Sequence, residues 1–161
     1  MAEAIRDPLQ LCEIDLQQPA AAVTVGGAAT NAVSIRGTLE VCETDIYQSA
    51  TNSLIVHFVG TGVASHLGRF LAVDDGLAYL STSSGGGRIT FFAASGDSFT
   101  ATETGSAAIV GNIAEIMDYA TITQGTGRFE GATGTLTIVR RRDLSSPLSS
   151  GWFEGTINLA K

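Results

Sequence analysis

The sequence predicts an all-β domain, a closed antiparallel barrel of about eight strands. Three observations lead there. Glycine is frequent, at 19 residues against 3 prolines, and it sits among Thr, Ser, Val, Ile and Phe, the mixture that suits strands joined by tight turns. From Ser34 onward apolar and polar residues alternate with a period of two. Such segments recur about every ten to fifteen residues, the spacing of a barrel or a sandwich, and no long helical pattern interrupts them.

The strands follow in order. In Ser34–Val41, Ile35, Gly37, Leu39 and Val41 share one face and Ser34, Arg36, Thr38 and Glu40 the other, a half-buried strand. Leu54–Thr61 (LIVHFVGT) is apolar on both faces, so we expect it to be covered twice. Gly68–Val73 and Leu77–Thr82 flank Asp74-Asp75-Gly76, which reads as a hairpin turn because Asp-Gly tolerates positive φ. Ser83–Gly87 (SSGGG) reads as a loop. Arg88–Ala93 and Asp97–Thr104 form a second hairpin around Ala94-Ser95-Gly96. Asn112–Thr123 carries both helical and strand spacing; its β-branched end and the glycine turn that follows assign it as a strand. Thr133–Arg140 and Trp152–Leu159 complete the set.

At 161 residues the chain fits one domain with a full core. Residues 1–31, rich in Ala and Gln, read as an arm that serves as a lid or adds a strand; residues 32–161 form the barrel domain. No apolar run reaches the roughly 18 residues of a membrane-spanning helix. The formal charge of −7 repels phosphates, so neither nucleic acid nor membrane is an expected partner. Arg140-Arg141-Arg142 is the single basic cluster and reads as a solvated turn or strand end. Cys12 and Cys42 are expected as free thiols, although one pair could close a disulfide. The N-terminus lacks an apolar signal region, so the chain as written reads as cytoplasmic, with secretion after processing as the alternative.

Tyr119–Gly134 (YATITQGTGRFEGATG) resembles the late-barrel element of the allene oxide cyclase and dirigent superfamily, Gly-Gly-Ser/Thr-Gly-x-Phe-x-x-Ala-x-Gly. Gln124 replaces the first glycine of that element. Gly60–Phe70, Ala94–Thr104 and Gly151–Leu159 are similar to bacterial, mostly uncharacterised relatives, and the resemblance covers about residues 32–160. It implies the barrel, no cofactor, and a dimer or trimer. It also implies, from the cyclases, an apolar cavity that moulds a reactive chain by orientation and exclusion of water. Physically, Gly125 and Gly127 would allow a tight turn, Phe129 would cover a barrel end, and Gly131 and Gly134 would permit a bulge.

No Ser-His-Asp order, Walker loop, HExxH or CxxC is present. His57 and His66 lack identifiable co-ligands, so no metal is expected. Glu103 shares a face with Phe99 and Ala101; if that face points inward, burial raises its pKa and fits it for acid–base work. Glu115 and Tyr119 share a face with Met117 and form the second catalytic candidate. The ligand-lining candidates are His57, Phe58, Phe91, Phe99, Met117 and Trp152. The expected function is a cofactor-free barrel that binds a small apolar molecule and cyclises or isomerises it. A non-catalytic small-molecule carrier, or an assembly protein that uses the barrel's outer wall, is the alternative.

Overall fold

The computed structural model describes residues 31–160. Eight strands, each antiparallel to the next, close into a barrel: β1 (Ala32–Gln48), β2 (Ser53–Ala64), β3 (Gly68–Tyr79), β4 (Ser84–Ala93), β5 (Ser98–Val110), β6 (Ile113–Gly125), β7 (Thr133–Asp143) and β8 (Leu148–Asn158). β8 returns to β1 from Ala32↔Asn158 to Cys42↔Leu148, so no sheet edge is left open. The expected arm lies outside the described residues, apart from Asn31.

Two expected turns are strand instead. Asp74-Asp75-Gly76 lies inside β3, and most of Ser83–Gly87 lies inside β4. Their register explains why: Asp74 pairs with Ile89, Asp75 with Arg88 and Gly76 with Gly87, an uninterrupted ladder. The reversal falls at 80–83, where Ser83 takes a φ of 51°. The glycines that resemble turn residues here are sites of close approach; a Cβ on Gly85 would collide with the Leu77 carbonyl oxygen.

Strand alternation sends one set of side chains inward. Toward one end these include five phenylalanines, set among small residues such as Ala72 and Ala101. Phe91 lies at the centre, 5.0 Å from the ring centroids of Phe99 and Phe153 and 5.6 Å from that of Phe70. Ile35, Leu39, Leu136, Ile138 and Ile157 fill the space around them. Residues 124–134 close this end. A 3-10 turn, Gly127–Phe129, drives Phe129 edge-on against Phe99 at 5.4 Å. Gly127 has a φ of 54°, as a tight turn requires, but Gly125 does not take positive φ: it is glycine because a Cβ would strike the Phe129 carbonyl. The bulge lies between Thr100 and Ala101, opposite β6, and not at Gly131 or Gly134.

The expected free thiol at Cys42 is corrected, because Cys42 is disulfide-bonded. A lone pair of cysteines carries no spatial information in its spacing, so the sequence could not reveal this. Cys12 lies outside the described residues.

The aromatic plug is the main apolar support of the closed end. Phe91→Ala is expected to lower the free energy of unfolding by about 3–5 kcal/mol, through lost burial and a cavity. Phe92→Ala, on the outer wall, is expected to change it by less than about 1 kcal/mol. Urea denaturation of both variants measures the contrast.

Candidate functional site

The opposite half of the barrel is hollow. A cavity of about 320 Å³ opens at the end that carries the turns at 49–52, 80–83, 111–112 and 144–147. Its space comes from missing side chains. Where the plug has phenylalanines, the inward positions here include Gly76, Gly85, Gly105 and Ala114. Gly105 faces Asp118 across the β5–β6 ladder, and a Cβ on it would collide with the Asp118 carboxylate. Leu54, Leu77, Leu80, Ile109, Ile116 and Leu144 line the cavity with hydrocarbon, and Arg142 reaches the Ser146 carbonyl in the turn at 144–147.

The floor is ionisable. Five carboxyl groups line the cavity, from Glu43, Asp45, Asp74, Glu103 and Asp118, with two guanidiniums, from Arg140 and Arg142. Arg140 donates to Glu43 Oε2 at 2.7 Å and to Ser149 Oγ at 3.2 Å. Arg142 donates to Glu43 Oε1, to Asp45 Oδ2 at 2.7 Å and to the Ser146 carbonyl at 3.1 Å. The Arg140 guanidinium also lies 4.7 Å from the Phe58 ring centroid, a cation–π contact. Burial raises the Glu43 pKa, and the two guanidiniums oppose that rise. Each Glu43 oxygen thus accepts a charge-assisted hydrogen bond from a guanidinium.

Asp74 and Glu103 form a second group, on β3 and β5. Burial, reinforced by the charges of Asp74 and Asp118, pushes Glu103 up to about 9. Burial also raises Asp74, to about 6, and a hydrogen bond with Glu103 limits that rise. At neutral pH the two carboxyls therefore hold one proton between them. Burial raises Asp118 as well, against the pull of Arg140. Three polar atoms of this region are buried with no conventional hydrogen-bond partner: Asp45 Oδ1, Asp74 Oδ2 and Arg140 Nε.

Of the residues singled out in the sequence, Glu103 points inward as expected and lines the cavity. Phe58, Phe91 and Phe99 also point inward, but Phe91 and Phe99 belong to the plug and Phe58 lies beneath Arg140. Glu115, Met117, Tyr119, His57 and Trp152 lie on the outer wall. The inward residues of β6 are Ala114, Ile116, Asp118, Ala120 and Ile122, so the Glu115–Tyr119 face is the wrong one. There Glu115 meets Arg141 at 3.5 Å, and the Tyr119 hydroxyl donates to Met117 Sδ at 3.2 Å. His57 pairs with Asp75 at 2.7 Å, also outside. Neither histidine belongs to a metal-binding cluster among the described residues.

The arginine run is the larger correction. Arg141 is exposed, but Arg140 and Arg142 continue the inward face of Leu136 and Ile138. The signal was the period of two through Leu136, Ile138, Arg140 and Arg142. Asp74, Glu43 and Asp118 could have been found in the same way, as extensions of apolar faces on their strands.

No family model and no curated protein matches the chain. A solved structure of a pterocarpan synthase dirigent protein aligns with it at a TM-score of 0.60 and 10% identity, covering 92% of this chain and all of that one. The chain has a dirigent-type eight-stranded barrel fold.

Glu43→Gln leaves two buried guanidiniums undercompensated and is expected to lower unfolding free energy by about 3–5 kcal/mol, whereas Glu115→Gln outside leaves it unchanged. Glu103 binds its proton more tightly folded, at about 9, than at its ordinary 4.5. Its stabilising contribution is therefore complete below about pH 4.5 and is lost as pH rises through 9. Glu103→Gln removes that loss, so the melting temperature of the variant should gain on that of the parent between pH 6 and pH 9.

Proposed function

We propose that this barrel is a cofactor-free receptacle for a small, largely apolar molecule, which it cyclises or isomerises with Glu103 as the acid. The observation that carries the reading is an apolar-mouthed cavity of about 320 Å³ with a one-proton carboxyl pair, Asp74 and Glu103, at its floor. Such a volume suits a small ligand, and few but convergent polar groups suit orientation.

The chemistry uses the chain's own groups. Glu103 is neutral at pH 7 and can give its proton to an oxygen or an unsaturated carbon of the ligand. Its carboxylate then recovers the proton from the product, so acid and base are one residue. Asp74 is a negative charge beside the positive charge that develops as the ligand is protonated. The apolar mouth excludes water and limits the foldings a flexible ligand can adopt.

A carrier without catalysis is the second reading. The structural neighbour is named both a synthase and a dirigent protein, so its name supports either reading. The two separate at Glu103: a Gln there leaves a carrier's bound molecule unchanged and abolishes conversion in an enzyme.

The cavity itself is tested with N-phenyl-1-naphthylamine, a neutral apolar fluorophore. The parent protein should bind it with enhanced emission. Ile116→Trp, which fills the cavity, should weaken binding at least tenfold, and Trp152→Ala on the outer wall should leave it unaltered. Equal binding by all three proteins would place the dye elsewhere and defeat the reading.

A further inference from the structure

The floor holds more acid than base. Arg140 and Arg142 are engaged by Glu43 and Asp45 through direct ion pairs. Those four groups are balanced among themselves. Asp74, Glu103 and Asp118 remain, and no cation among the described residues forms an ion pair with any of them. Arg140 is near enough to act on all three, but its direct bonds go to Glu43 and Ser149.

A second observation is independent of this charge count. Asp74 is 3% exposed and lines the cavity, yet its Oδ2 accepts no hydrogen bond from a backbone N–H, a guanidinium, or a Ser, Thr or Tyr hydroxyl. Its one side-chain hydrogen bond is with the Glu103 carboxyl, and that bond exists only while one of the two holds a proton. An unpaired buried carboxylate oxygen costs about 1–3 kcal/mol or more, and a donor that enters the cavity recovers that loss. Among the described residues no cluster has the geometry to hold a metal ion, so the missing donor is not supplied by a resident metal site.

The rim complements the floor. Leu54, Leu77, Leu80, Ile109, Ile116 and Leu144 line the same cavity with hydrocarbon. A molecule that satisfies both levels has a hydrocarbon body and one positively charged hydrogen-bond donor.

From this arrangement we propose that the cavity selects lipophilic amines, with the ammonium group seated among Asp74, Glu103 and Asp118 and the hydrocarbon body held by the rim. This deepens the receptacle reading in its carrier form and rests on it, because a bound ammonium leaves Glu103 without the proton that acid catalysis uses. When the ammonium arrives, Glu103 loses the need for its proton and releases it; the groups facing Glu103 in this exchange are Asp74, Asp118 and Arg140. Binding then exchanges one cation for another, and the floor's net charge changes little.

The test uses a matched pair of probes, 1-naphthylmethylamine and 1-naphthylmethanol, titrated calorimetrically into the full chain at pH 7.5 in phosphate and in Tris. The amine should bind at least tenfold more tightly than the alcohol. Its apparent enthalpy should differ between the buffers in the sense of proton release, and that of the alcohol should not. Asp74→Asn should bring the two affinities within twofold of each other; Glu103→Gln, which keeps a neutral side chain of the same shape, should abolish the proton release. Equal affinities in the parent protein, or a preference for the alcohol, would overturn the amine assignment and leave the receptacle standing. Binding of neither probe would overturn both.

Discussion

Arg140 is the group on which the polar half of this barrel depends. It emerges from the inward face of β7, continuing the line of Leu136 and Ile138, and places a guanidinium where the strand pattern calls for a hydrocarbon. It bonds to Glu43 and Ser149, lies on the Phe58 ring and acts electrostatically on Asp74, Glu103 and Asp118. A buried pair of this kind is weak evidence for stability when compared with a hydrocarbon core. Here it has a different consequence. It permits carboxyl groups to line the same interior without all of them being forced neutral.

The barrel divides along its axis. The closed end is filled by five interlocked phenylalanines, whose rings pack into room left by small inward residues such as Gly37 and Gly62. The open end has no phenylalanine among its lining residues and several glycines, Gly76, Gly85 and Gly105 among them, and the space left over is the cavity. Closure of β8 on β1 makes this division possible, because the interior volume is set by strand number and stagger and the side chains need not fill it. The same glycines that open the cavity permit close backbone contacts along β3, β4 and β5. Fold and site are therefore one design feature.

Much of the fold was legible in the sequence. Alternation alone placed Ile35, Leu39 and Val41 inside and gave about eight strands in order. It also placed Glu103 with Phe99 and Ala101, and that reading survives. The failures have a common physical origin. Asp74-Asp75-Gly76 and SSGGG carry turn chemistry, yet they run as strand because the ladder across β3, β4 and β5 continues through them. Arg140 and Arg142 carry the chemistry of exposed residues, yet they are buried because Glu43 and Asp45, about a hundred residues earlier, supply their counter-charges. Local composition cannot show a partner brought in by barrel closure. On β6 both faces contain a carboxyl among apolar residues, Glu115 on one and Asp118 on the other. Only the register with β5 and β7 decides which of them faces inward.

The central claim is that the cavity floor keeps a neutral acid, Glu103, beside an ionised one, Asp74. Carbon-13 NMR of the protein labelled at the glutamate side-chain carboxyl carbons, with the Glu103 resonance assigned through Glu103→Gln, measures this directly. The account predicts that this one resonance titrates near pH 9, far above the exposed glutamates. A Glu103 resonance that titrates near 4.5 would mean a solvated, ionised carboxylate, and would contradict both the buried floor and the acid assigned to it.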